Sequence, residues 1–145
     1  MNQTLSIATV ERILDASPSR LIVMLYDEAL KNLETAIAAI ERGDIETRCH
    51  TVNRTVEIVC HLYLTLDNQQ GGEIAEKLGA IYRFVLARLP RVNVANDAEP
   101  AREAIRLLTP MRASWCELDA RIEASAAASE SLMAQPMAAR AAMGA

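Results

Sequence analysis

The sequence predicts an all-α protein, an antiparallel four-helix bundle with a mobile N-terminal segment and a frayed, alanine-rich C-terminal tail. Apolar residues make up 51% of the 145 positions but aromatic residues only 3%, so the core must consist of Leu, Ile, Val, Ala and Met. Apolar residues recur at helical spacing, and no run alternates apolar and polar residues as a half-buried strand does. A chain of this length can bury one real core. Three segments are therefore expected: an arm over 1–14, a single helical domain over 15–123, and a flexible tail over 124–145.

The first helix, expected over 18–42, is the central one. Ser17 is a suitable N-cap, and Pro18 stands where its missing N–H costs nothing. Gly43 ends the helix because glycine adopts the left-handed conformation without a Cβ clash. The apolar stripe is wider than a coiled-coil seam, so the helix should pack against more than one neighbour. The stripe and its flank comprise Leu21, Met24, Leu25, Glu28, Ala29, Asn32, Leu33, Ala36, Ile37 and Ile40.

Two further helices follow. Asp44 is a good N-cap for a second helix over 44–66, and the very short connection makes the first two helices antiparallel. A polar loop ending in Gly71-Gly72 precedes a third helix over 73–89, which Pro90 stops. The third helix should be buried through Ile74, Leu78, Ile81, Val85 and Leu89.

The last helix is expected over 97–123, after a connection over 91–96 and with Asp97 as its cap. Pro110 lies inside it, and because the apolar register continues on both sides, the helix should be kinked there and not broken. Trp115 and Leu25 should lie inside the bundle. Beyond residue 123 the chain has little to bury, so fraying is expected.

The N-terminal segment carries a few apolar residues without a strong cap. One interpretation is a frayed terminus. The other is a mobile arm that covers an apolar groove on the body. The apolar residues are Leu5, Ile7, Val10, Ile13 and Leu14.

Charge and hydropathy exclude several classes of function. A net charge of −4 leaves no basic face for nucleic acid. No apolar stretch approaches the roughly 20 residues needed to span a bilayer, and no basic region precedes an apolar run at the N-terminus. We therefore expect a cytoplasmic protein without membrane insertion. Three cysteines without a framework spacing fit reduced thiols in that compartment.

No catalytic, cofactor or metal site is expected. A di-iron bundle needs Glu-x-x-His pairs, and neither His50 nor His61 follows a glutamate at that spacing. Cys49-His50 and Cys60-His61 lie about 16 Å apart along a helix axis, so they cannot share one metal ion. There is no G-x-S-x-G sequence and no lysine-bearing phosphate loop. The chain is thus predicted not to be an enzyme.

Apolar residues outside the core stripes remain to be explained. The third helix carries Tyr82, Phe84 and Leu86 outside its main stripe. One interpretation is a central helix in a compact core. The other is a groove for an amphipathic partner helix.

Over about residues 10–115 the chain resembles the flagellin export chaperone family, FliS. Five segments in the same order and spacing carry the resemblance: ASPSRLIVMLYDEAL at 16–30, AIAAIERGD at 36–44, LDNQQGGEIAEKLGAIYRF at 66–84, ND at 96–97 and LLTPMRASW at 107–115. The resemblance implies an antiparallel bundle that binds the disordered C-terminal segment of flagellin in the cytoplasm. The chaperone would prevent premature polymerisation and deliver flagellin to a component of the flagellar type III export gate.

The surplus of apolar residues outside the core stripes predicts a set of partner-binding residues, and a homodimer is expected in the absence of flagellin. The arm would compete for the groove, and residues of the first and third helices would form its wall. The candidates are Ile7, Val10, Ile13, Met24, Tyr26, Asp27, Leu78, Tyr82 and Val85. Two other functions stay open: a bundle of the same fold that serves another export substrate, and a metal-binding bundle, which the ligand spacing disfavours.

Overall fold

The computed structural model describes residues 18–66 and 68–134, and within those ranges it contains helices and no strand. This confirms the predicted all-α class. The helices are α1 (Pro18–Glu41), α2 (Ile45–Leu64), α3 (Asn68–Arg88), α4 (Pro90–Ala95) and α5 (Glu99–Met133).

Helix α1 is the centre of the bundle, as its wide apolar stripe predicts. It packs along α2 on one side and along α5 on the other, whereas α3 packs mainly on α2. Ser19 Oγ donates to Asp119 Oδ1 at 2.7 Å, and Asp27 forms an ion pair with Arg112 further along both helices. From the first contact to the second, the residue number rises along α1 and falls along α5. The two helices are therefore antiparallel.

The turn between α1 and α2 follows directly from Gly43 and Asp44. Gly43 has φ 72°, a left-handed conformation that only glycine adopts without strain. The Asp44 carboxylate accepts from the Thr47 backbone N at 3.1 Å and from Thr47 Oγ1 at 2.7 Å. These hydrogen bonds, with a smaller contribution from Arg42, hold the pKa of Asp44 below its ordinary value of 3.8. Asp44 is therefore the N-cap that the sequence predicts.

The cap makes a prediction about acid stability. Asp44→Asn keeps a capping oxygen but cannot ionise, so it should lower the melting temperature at neutral pH by removing the charge from the positive end of α2. Because the folded pKa is lowered, the stabilisation by the carboxylate is complete above about pH 4 and is lost as pH falls through the folded pKa. The difference in melting temperature between wild type and variant should therefore shrink below that pH. A difference that stays constant with pH would contradict this assignment.

The buried face of α1 differs from the predicted stripe. Leu21, Leu25 and Ile40 are only half-buried at its edges. The buried positions are Ser19, Val23, Tyr26, Ala29, Asn32, Leu33, Ala36 and Ala39. Helices α2 and α5 both cover α1. The face that they bury together is rotated about the helix axis relative to the apolar stripe predicted from the sequence.

Helix α3 is rotated in the same way. Its regular part begins after Gly72, whose φ of 52° and ψ of −127° interrupt the helix where the sequence predicts the start. The predicted stripe begins at Ile74, but that side chain is 72% exposed. The buried apolar residues of α3 are Ala75, Tyr82 and Val85, and Leu89, directly after the helix, is buried as well. Tyr82 thus belongs to the core.

The end of the chain needs two corrections. Residues 90–95 form the short helix α4, whereas the sequence predicts a connection without a helix. Helix α5 extends to Met133, so residues 124–133 are helical with exposed side chains and not frayed. Helix α5 is unbroken at Pro110, as predicted, and the expected kink stays a prediction. Residues 135–145 lie outside the described residues.

Candidate protein-binding surface

Two buried tyrosines join α1 and α3 in the core, and Trp115 of α5 packs against the same core cluster. The hydroxyls of Tyr26 and Tyr82 are hydrogen-bonded to each other. Burial raises the pKa of both tyrosines, which keeps the hydroxyls neutral. The hydrogen bond joins α1 to α3, and the packing of Trp115 adds α5 to the same core.

Three of the predicted partner-binding residues therefore lie in the core. Tyr26 and Tyr82 form the hydrogen bond just described, and Val85 lies one turn further along α3. All three are at most 1% exposed, so a partner could contact them only if the helices separated. The prediction that these three residues form a groove wall is therefore corrected. They are buried between the helices and stabilise the bundle.

The other predicted residues are more accessible. Met24 and Leu78 are half-buried. Asp27 is exposed, but it is occupied by its ion pair with Arg112, a contact that raises the pKa of Arg112. Ile7, Val10 and Ile13 lie outside the described residues. The structure thus leaves Met24, Leu78 and Asp27 at positions that a partner can reach.

An apolar stripe runs along α3 beside its buried residues. We call Ile74, Leu78, Ile81 and Phe84 the α3 apolar face. Their spacing of three or four residues places them on one side of the helix. Leu78 and Ile81 pack partly against the core, whereas Ile74 and Phe84 are exposed. The guanidinium carbon of Arg88 lies 6.0 Å from the centre of the Phe84 ring. This face is a row of apolar side chains three turns long.

A second row lies on α5. We call Trp115, Leu118 and Ile122 the α5 apolar face, since the spacing again puts them on one side. Trp115 is half-buried, and the other two are exposed. Helices α3 and α5 contact each other, and Arg88 Nε and Nη2 both donate to the Glu103 carboxylate at 3.0 Å. The two apolar faces therefore lie on helices that are bound to each other.

The sequence predicts core positions for Ile74, Leu118 and Ile122, but the structure leaves all three exposed. It predicts Phe84 outside the main stripe of α3, and this position indicates an exposed face. Phe84 follows Ile81 by three residues and Ile74 by ten, so its side chain continues the helical stripe that contains both. The sequence does not show how each helix is rotated about its own axis relative to its neighbours.

Two further observations bear on the kind of site. Within residues 18–66 and 68–134, no group of three or more His, Cys, Asp or Glu side chains is placed to hold a metal ion. None of the helices described is both long and apolar enough to cross a bilayer.

The fold and these faces define a class of protein, a helical bundle whose exposed apolar rows are suited to binding another polypeptide. Comparison with known proteins identifies the family. A family model described as flagellar protein FliS matches residues 1–122, and the chain belongs to that family.

Several relatives in this family have been given the name flagellar secretion chaperone. The FliSB protein of Pseudomonas aeruginosa is 31% identical over 115 residues, which cover 79% of this chain and 91% of that protein. FliS of Salmonella typhimurium is 33% identical over 107 residues, covering 73% and 79%. FliS of Campylobacter jejuni is 35% identical over 102 residues, covering 70% and 80%. The family is one of chaperones for flagellar secretion, and the sequence-based resemblance to it is confirmed.

Proposed function

We propose that this chain is a cytoplasmic chaperone that binds the disordered C-terminal segment of flagellin. It keeps the segment from polymerising before export and delivers it to a component of the flagellar type III export gate. Membership of a family of flagellar secretion chaperones supports this proposal. The single structural observation that carries it is the pair of apolar faces on α3 and α5, which a folding segment could cover.

The energetics favour an extended site. A disordered segment that folds on binding loses about 2–5 kcal/mol or more of its interaction energy to ordering. Apolar burial contributes about 25 cal/mol per Å², so several side chains must be covered to offset that cost. The α3 apolar face alone spans residues 74–84, about 15 Å along the helix axis. Contacts distributed over two such faces would supply enough burial.

The direct test is co-expression of the chain with its cognate flagellin, either full length or without the C-terminal segment. We expect the full-length flagellin to co-purify as a soluble complex and the truncated flagellin to be lost. Equal retention of both would contradict the proposal. If neither flagellin is retained, the chain serves another export substrate.

Phe84→Ala should weaken binding of the flagellin segment about tenfold, because aromatic side chains in apolar contacts often contribute 1 kcal/mol or more to an interface. The melting temperature should stay close to wild type, since Phe84 is 47% exposed. Isothermal titration measures the affinity, and circular dichroism measures stability. Leu64→Ala, an exposed position on α2 outside both faces, is the matched control and should bind normally. Equal affinity of the two variants would place the site elsewhere.

Ile7, Val10 and Ile13 remain proposed as an arm that competes for this surface. Leu78, within the α3 apolar face, and Met24 remain proposed contacts of the partner. Asp27 could form an ion pair with a cation of the partner only if its ion pair with Arg112 were broken. The exchange would add little affinity, so we propose that Asp27 contributes to the choice of partner.

A further inference from the structure

Arg48, near the start of α2, is a buried cation whose hydrogen-bond partners are neutral. The residue is only 8% exposed. Nη1 donates to Asn96 Oδ1, and Nη2 donates to the backbone carbonyl of Asn93 at 3.3 Å and lies 3.8 Å from Cys49 Sγ. None of these groups carries a negative charge, and the described part of the chain gives Arg48 no salt bridge with a carboxylate. Buried arginines are ordinarily paired with an anion because burying an isolated charge is costly.

Two buried side-chain atoms also lack hydrogen-bond partners: Nε of this guanidinium, which is a donor, and Asn93 Oδ1, which is an acceptor. What the guanidinium still lacks is a counter-ion.

Arg48 lines a cleft where a counter-ion can enter. The cleft has a volume of about 330 Å³ and lies between the α1–α2 turn and the end of α4. Its lining residues are Ala39, Gly43, Asp44, Ile45, Arg48 and Asn96. The first turn of α2 also borders it, and the positive end of that helix favours an anion.

The one acid in the cleft lining is already engaged. Asp44 caps α2 through Thr47, and Arg42 Nη2 donates to its Oδ2 at 3.2 Å. The charge of Asp44 opposes an incoming anion, but Arg42 largely offsets it. The unpaired charge in the cleft is therefore the positive charge of Arg48.

The cleft also has an apolar wall. Ala39 and Ile45 line it, and Ile45 is 64% exposed. A ligand that combines a carboxylate with an apolar group matches this arrangement. The last residue of a polypeptide is such a ligand, since its α-carboxylate adjoins its side chain. We infer that the cleft binds the C-terminal carboxylate of the partner polypeptide through Arg48. This inference rests on the proposed function, in which the partner is the C-terminal segment of flagellin.

The test compares two synthetic peptides of the flagellin C-terminal segment, one with a free carboxylate and one with a C-terminal amide. Isothermal titration of the wild-type chain should give an affinity at least about tenfold higher for the acid, as expected for a charge-assisted hydrogen bond. Arg48→Met should remove this ratio, and Arg48→Lys should retain part of it. The matched control is Arg54→Met, an exposed arginine on the same helix, which should leave the ratio unchanged.

The outcomes separate the inference from the proposed function. Equal affinity of acid and amide for the wild type overturns the inference while leaving the proposed function intact. If neither peptide binds, the proposed function fails and the inference fails with it. Inorganic phosphate at matched ionic strength should not abolish the acid-to-amide ratio; if it does, the cleft is a general anion site and the assignment to a peptide terminus is overturned. If Arg48→Met does not fold, the wild-type comparison alone decides.

Discussion

Tyr82→Ala is expected to lower the free energy of unfolding by about 3–5 kcal/mol, the usual cost of deleting a buried aromatic side chain. Tyr82 is 1% exposed, and its hydroxyl is hydrogen-bonded to Tyr26. Its removal leaves a cavity between α1 and α3 and takes a hydrogen-bond partner from a buried hydroxyl. Urea denaturation followed by circular dichroism measures the loss.

Two variants separate the contributions. Tyr82→Phe removes only the hydroxyl and should cost about 1–2 kcal/mol. Phe84→Ala, two positions away on the same helix but exposed, should change stability by less than about 1 kcal/mol. If Tyr82→Ala were as mild as Phe84→Ala, Tyr82 would have to lie on the surface. The sequence predicts Tyr82 in a groove wall, where its substitution would leave the melting temperature unchanged. The buried position of Tyr82 predicts the opposite result.

Pro110→Ala is expected to stabilise the protein, by up to about 3 kcal/mol. Pro110 is exposed in the interior of α5, where it has no N–H to donate to the carbonyl of Arg106. Alanine restores this hydrogen bond and removes the clash of the ring with the preceding turn. Part of the gain is offset because alanine gives the unfolded chain more freedom. Thermal and urea unfolding both measure the change.

Pro90→Ala is the matched control. Pro90 is also exposed, but it is the first residue of α4, where the missing N–H has no helical partner in any case. This substitution should be neutral or slightly destabilising. A loss of several kcal/mol in Pro110→Ala would show that the ring makes a contact on which α5 depends.

The two apolar faces connect these stability predictions to function. The same helix, α3, places Tyr82 in the core and Phe84 at the surface, so a substitution at the first position should unfold the bundle and one at the second should weaken binding. Binding experiments on Tyr82 variants therefore need a stability measurement beside them. If the chaperone is partly unfolded, a lower measured affinity reflects the smaller folded fraction and not the loss of a contact with the partner.

Local chemistry in the sequence determined the bounds of α1 and α2 and the start of the regular part of α3. Pro18, the pair Gly43 and Asp44, and Gly72 each act within one turn, through backbone conformation or a capping hydrogen bond. The helix bounds predicted from these residues agree with the structure to within a few residues. The family was also readable from short segments in a fixed order.

Tertiary structure alone decided which side of each helix is buried. Helical periodicity marks apolar positions, but α1 and α3 carry more apolar residues than one face holds. The neighbours then select which of them are covered. Tyr82 and Ala75 are covered, and Ile74 and Phe84 are not. The cleft at Arg48 was invisible for the same reason, because it joins the start of α2 to the end of α4, residues 45 positions apart that only packing brings together.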